Sequence, residues 1–355
     1  MNKDFKTLRA LIMPAIEKHG GWVNAHAHAD RAFTLDEHTL EIYRTHSLER
    51  KWDAVDTMKR NSSVEDYYRR FSQTIELMIA QGVTAMCSFV DIDPAAGDRA
   101  ITAALRAREH YQDQITVLFA NQTLKGVIDP EAREWFDRGA ELVDVIGALP
   151  KRDERDFGRS DEALDIVLGT ARSMNKMVHV HVDQFNHARE YETEQLCDKT
   201  IEHGMQHRVV AIHGISIAAH SKQYRLRLYE KMREAGVMMI ACPMAWIDTP
   251  RSEFIAPSHN SLTPIDELLP SGVPVALGTD NICDAMVPFC EGDLWRELSL
   301  LAAGCRYTDF DQIVRIATTY GRMALGLMDW VVVNDEPEAE ETAANEEQYA
   351  RAAVL

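Results

Sequence analysis

The chain has no excess of positive charge, no closely spaced cysteine pair and no long uncharged apolar run, and each absence removes a class of protein. Its 38 lysines and arginines are outnumbered by 56 aspartates and glutamates, giving a formal net charge of -18. Overall it offers no basic surface to a phosphate backbone, so nucleic acid is not expected as a partner. The six cysteines (Cys87, Cys197, Cys242, Cys283, Cys290, Cys305) include no CxxC pair. That spacing argues against a zinc knuckle or compact disulfide framework and favours a reducing cytoplasm. No stretch is long and uncharged enough to span a bilayer, so no membrane contact is expected. Near the N-terminus, Phe5, Leu8, Leu11, Ile12 and Ile16 fall at helical spacing with charges between them, unlike the unbroken run of a signal peptide. What the chain does have is 46% apolar residues in 355, enough to bury a large core in one barrel-sized domain or two smaller ones.

Short apolar segments alternate with longer amphipathic ones, the pattern of parallel βα units covered on both faces. Eight strands are expected: WVNAH from Trp22, VTAMCSFV from Val83, ITVLFA from Ile115, ELVDVIGAL from Glu141, MVHVHV from Met177, RVVAIH from Arg208, VMMIAC from Val237 and VPVALGTD from Val273. Helix-like runs lie between most of them, such as VEDYYRRFSQTIELMIAQG and QYRLRLYEKMREAG, each stopping at a glycine. Eight such units predict an α/β fold, a (β/α)8 TIM barrel over residues 21–328, preceded by a helix in residues 1–20 and followed by an acidic tail, 329–355. An open doubly wound sheet is disfavoured because no GxGxxG follows the first strand. The stretch from Arg31 to Ser63 is too long for an ordinary βα loop and is expected to fold over the barrel mouth.

Catalytic side chains of such barrels stand at the C-terminal ends of strands. There the sequence places His26, His28 and Asp30 on strand one, His181, Asp183 and Gln184 on strand five, His213 on strand six and Asp280 on strand eight. Histidines at i and i+2 on a strand point the same way, so His26 and His28 can grip one ion. With His181 and Asp280 they make an N3O set suited to one divalent metal, Zn2+ first, with Fe2+ and Mn2+ as alternatives. Such an ion makes hydroxide from water at neutral pH. Fourteen histidines make a chance HxH pair easy. The argument rests instead on the coincidence of four strand ends.

The motifs NAHAHADRAFT, LERKWDAVDTMKR, VIGALPKRDERDFG, HVHVDQ and LGTDNICDAMVPFCEGD resemble the amidohydrolase superfamily, in the branch of cytosine deaminase and N-isopropylammelide aminohydrolase. The resemblance covers roughly Trp22 to Leu327. It implies that His26, His28, His181 and Asp280 are metal ligands, that His213 orients the hydroxide and polarises the substrate, and that Asp280 moves the proton from water to the departing nitrogen. It also implies that Gln122, or Asn121 one residue earlier, reads the edge of the substrate. Trp52, Phe33 and Trp246 are candidate stacking walls.

Two departures from the resemblance matter. The small β-sandwich that usually flanks the barrel is expected to be missing or vestigial here. Gln184 also stands where cytosine deaminase carries a glutamate that protonates the ring, and an amide lends no such proton. Either Asp183 or His213 takes over the transfer, or the substrate is a lactam or cyclic imide whose ring opens without prior protonation, or the barrel binds without turnover. The expected activity is hydrolysis of a C-N bond in a small nitrogen heterocycle, chiefly as an aminohydrolase; a homo-oligomer is compatible with it.

Overall fold

The computed structural model describes residues 7–45, 48–185, 187–245 and 262–330. Its strands are β1 (Trp22–Ala27), β2 (Val83–Asp91), β3 (Thr116–Gln122), β4 (Val145–Ala148), β5 (Met177–Val182), β6 (Val209–His213), β7 (Val237–Ala241) and β8 (Val275–Leu277). They form one sheet in sequential order, each paired parallel to the next. β8 returns to β1: Ala27 bridges Asp280, and the Thr279 and Asp280 amides both donate to the His26 carbonyl at 3.0 Å. This is the (β/α)8 TIM barrel. Every strand among the described residues belongs to it.

Strands form where apolar residues run without polar interruption, because inward side chains fill the barrel and outward ones meet helices. β6 and β7 are buried throughout. The largest boundary difference from the sequence reading is at the start of β4, while β8 is the shorter Val275–Leu277. Glu141 and Leu142 end the helix Pro130–Leu142, and β4 begins only at Val145. The reason is local: Asp129 caps that helix, Pro130 opens it, and its buried face of Ala132, Phe136 and Ala140 continues the helical period to that point. The N-terminal α1 (Leu8–Lys18) buries Ile12 and Ile16 and leaves Leu8 and Leu11 exposed; Phe5 lies outside the described residues. No helix among the described residues is long and apolar enough to cross a membrane.

The long connection after β1 carries two helices, α2 (Glu37–Tyr43) and α3 (Leu48–Asn61). From α3, Trp52 reaches a cavity at the barrel mouth. Lys59 is fully buried, with its ammonium 2.5 Å from Asp93, 3.0 Å from Asp56 and 3.3 Å from Asp91. A lysine this deep persists only among paired carboxylates. α3 is therefore anchored at the C-terminal end of β2.

Candidate metal centre

β1 delivers His26 and, one residue past its end, His28; β5 delivers His181, β6 ends on His213, and Asp280 follows β8. The Asp280 Oδ1 atom is 3.1 Å from Nε2 of His26 and 3.1 Å from Nε2 of His28, while Oδ2 is 3.9 Å from Nε2 of His213. Donor atoms of His26, His181, His213 and Asp280 all lie within 4.8 Å of one another. The His28 ring stands beside them, 4.9 Å from that of His26 and 5.6 Å from that of His181.

The backbone is shaped to permit this crowding. His213 and Asp280 adopt φ of +77° and +57°, a region that costs an L-residue about 1–2 kcal/mol, and surrounding contacts hold them there. Gly278 lets β8 pass against β1, since a Cβ would sit 2.8 Å from the His26 carbonyl oxygen. Asn24 and Thr279 tie the same seam through reciprocal bonds of 3.0 and 3.2 Å.

The electrostatics suit a cation. Burial holds the His28, His181 and His213 imidazoles below their ordinary range, His213 at about 4, so they are neutral at pH 7. Burial alone would raise Asp280, but hydrogen bonds from His26 and His28 outweigh it and keep the carboxylate ionised. His181 donates from Nδ1 to the Ala148 carbonyl at 3.2 Å, which leaves its Nε2 lone pair facing the cluster. His26 Nδ1, both His213 nitrogens and Asp280 Oδ2 are buried without a protein partner. Unpartnered acceptors around an ionised carboxylate fit a divalent metal ion.

Beside this cluster lies a cavity of about 30 Å³ whose lining includes Arg31, Trp52, Gln122, Lys151, Gln184 and Asn281. The pleat decides between the two β3 candidates. Gln122 faces the cavity, whereas Asn121 turns outward, accepting from the Gly147 amide at 3.1 Å and donating to the Phe136 carbonyl at 3.4 Å. Gln184 lines the cavity as well. Asp183 does not: its carboxylate caps the helix Glu192–Glu202, accepting from the amides of Glu192 and Thr193 at 2.9 and 3.2 Å and from the Thr193 hydroxyl at 2.5 Å. Phe33 is half-buried and stands away from the cavity lining, and Trp246 lies outside the described residues.

Sequence reasoning did not single out Arg31, Lys151 or Asn281. The available signal was position, since each follows a strand end within a few residues. Lys151 is held by Glu190 at 2.6 Å and Glu192 at 3.0 Å.

A closed parallel barrel with imidazoles and one ionised aspartate gathered at its strand ends defines a metal-dependent hydrolase. Residues 20–331 match the amidohydrolase family, and the chain belongs to it: it is a metal-dependent amidohydrolase acting on C-N bonds. A Haemophilus influenzae protein described as uncharacterized is 63% identical over 270 residues, covering 76% of this chain and 98% of that protein. N-isopropylammelide isopropyl amidohydrolase of Pseudomonas sp. is 25% identical over 281 residues, covering 77% of this chain but 65% of that enzyme. Among solved structures, 5-methylcytosine deaminase of Klebsiella pneumoniae bound to 5-fluorocytosine shares the fold, with a TM-score of 0.79 at 23% identity over 86% of this chain and 74% of the deaminase.

Proposed function

We propose that the protein hydrolyses a C-N bond of a small nitrogen heterocycle, chiefly as an aminohydrolase that replaces an amino substituent with oxygen. The observation that carries this reading is the convergence of His26, His181, His213 and Asp280 beside a cavity walled by Gln122, Gln184 and Trp52. His26, His28, His181 and Asp280 would hold one divalent ion, and their nitrogen-rich set favours zinc. When bound, the ion supplies activated water at neutral pH. Asp280 Oδ2 takes a proton from the attacking water and returns it to the leaving nitrogen, a role suited to a carboxylate that stays ionised. His213 hydrogen-bonds the oxygen that gains charge during attack. Gln122 and Gln184 offer both amide donors and acceptors to the ring edge.

Ring opening of a lactam or cyclic imide is the second reading. It is favoured by the absence of an ionisable group at Gln184 together with the full engagement of Asp183 in capping a helix. The net charge of -18 supports a small-molecule partner over nucleic acid. Six free cysteines support a cytoplasmic location.

The test is mass spectrometry of products after zinc-loaded protein meets a panel of pyrimidines, triazines, lactams and cyclic imides. A product with an amino group replaced by oxygen supports the aminohydrolase; one heavier by a whole water selects ring opening. Metal-stripped protein must be inactive, and His213→Ala should keep most of its metal while kcat falls about 10²–10⁴-fold. Full activity without metal would refute both readings.

A further inference from the structure

Arg31 follows His28 by three residues, is buried and lines the cavity. Its Nη2 donates to His28 Nδ1 at 2.7 Å. Its Nη1 reaches Asp91 Oδ2 at a long 3.4 Å, and its Nε-H has no protein partner. Asp91 is a weak holder because the same oxygen also lies 3.3 Å from the Lys59 ammonium.

The bond to His28 carries a consequence for metal loading. A guanidinium can only donate, so His28 accepts through Nδ1, and its one N-H stands on Nε2, where it donates to Asp280 Oδ1 at 3.1 Å. A neutral imidazole has a single lone pair. If His28 gives that lone pair to an ion through Nε2, the ring proton moves to Nδ1 and meets the Arg31 N-H head-on. Two donors do not share a 2.7 Å contact. Occupation of the metal site by His28 and the present seat of Arg31 are therefore mutually exclusive.

We propose that metal loading releases Arg31 from His28 and makes Arg31 the residue that binds an oxygen of the substrate, a ring carbonyl or an ionised ring oxygen. This rests on the heterocycle hydrolase reading and on His28 as a ligand. Nε and Nη2 lie on one edge of the planar guanidinium and form a two-pronged donor suited to an oxygen acceptor. Several other acceptors near Arg31 are committed. Asp284 accepts from the Met286 and Val287 amides and from Asn281, and Asp30 accepts from the Asp91 amide. Asp91 Oδ1 and Asp30 Oδ1 are unpartnered and are the competing destinations. The cavity favours the substrate: among the described residues Asp280 is the one carboxylate in its lining, beside Arg31, Lys151, Gln122, Gln184 and Asn281. Metal then binds before substrate, because the oxygen-binding fork is free only in the loaded protein.

The test compares wild type with Arg31→Met. Zinc affinity is measured by chelator competition, and calorimetry follows binding of two heterocycles, barbiturate, which carries carbonyl oxygens on its ring, and 2-aminopyrimidine, which carries no oxygen. The expected result is zinc affinity unchanged or tighter in Arg31→Met, since a competitor for His28 is gone. Barbiturate binding should weaken at least tenfold and 2-aminopyrimidine binding stay within threefold; apo wild type should not prefer barbiturate. Weaker zinc binding with the ring preference intact would make Arg31 a fixed support for His28 and overturn the proposal. If loaded wild type binds neither ring, the heterocycle reading fails and takes the proposal with it; if it binds both but Arg31→Met alters neither, only the role of Arg31 fails. Because Arg31→Met takes one of two cations from buried Asp91 and so weakens the fold, a crystal structure of zinc-loaded wild type gives an independent answer. An Arg31–His28 contact still at hydrogen-bond distance there, with His28 on the ion, would overturn the release.

Discussion

The Arg152 guanidinium lies 4.6 Å from the centre of the Trp52 ring, and Arg155 lies 4.5 Å from the same ring. Both arginines belong to the helix Pro150–Phe157 that follows β4, whereas Trp52 belongs to α3, so this contact closes the cover over the barrel mouth. Beneath it, the cavity of about 30 Å³ holds little more than one water, against ~300–1,000 Å³ for ordinary small-molecule pockets. A ring therefore fits only once this lining moves, and Trp52 forms part of it. Trp52→Ala should therefore leave metal content unchanged, lower the melting temperature by several degrees through lost packing, and raise KM about tenfold through loss of the wall. Metal analysis with steady-state kinetics checks this. An unchanged KM would mean that substrate makes no use of Trp52.

Gln184 stands three residues beyond His181 and lines the cavity without carrying a proton to give. Gln184→Glu tests which bond the site was built to cut. If the pocket takes amino-substituted rings, a carboxyl there should raise kcat/KM for them by about tenfold or more while metal content holds. If the natural substrate is a cyclic amide, the same change removes an amide donor and should lower its turnover. Competition assays with one amino ring and one cyclic imide separate the two, and no response to either would remove Gln184 from the substrate's surroundings.

The barrel was legible because parallel strands buried on both faces leave unbroken apolar runs, and the histidines were legible because i and i+2 on a strand share a face. What could not be read depended on one-residue phase or on distant partners. Asn121 and Gln122 are equivalent in composition, and only the pleat sends one outward and the other to the cavity. Asp183 looked free at a strand end, but its partners lie nine and ten residues on, at a helix start no local signal connects to it. The ions around Lys59 come from α3 and the end of β2, segments that meet only after the barrel closes.

Glu297 makes the fold sensitive to alkali. It is buried on the helix Leu294–Gly304, where its Oε2 accepts from the Met244 amide at 2.9 Å and its Oε1 from the Cys290 thiol at 3.2 Å. Burial raises this carboxyl from 4.5 to about 8. Between those values the folded chain holds a proton that the unfolded chain has lost. Stability from this group is thus fully present below the unfolded value and falls as pH rises toward 8, by about 1.4 kcal/mol per pH unit. Glu297→Gln keeps an acceptor for Met244 and removes the titration. Urea denaturation at pH 6, 7 and 8 should show the wild type losing stability relative to Glu297→Gln at each step. A constant difference between the two proteins across that range would show that Glu297 is ionised in the fold, and that the connections after β7 and β8, which bring Met244 and Cys290 to it, hold a buried charge instead of a neutral carboxyl.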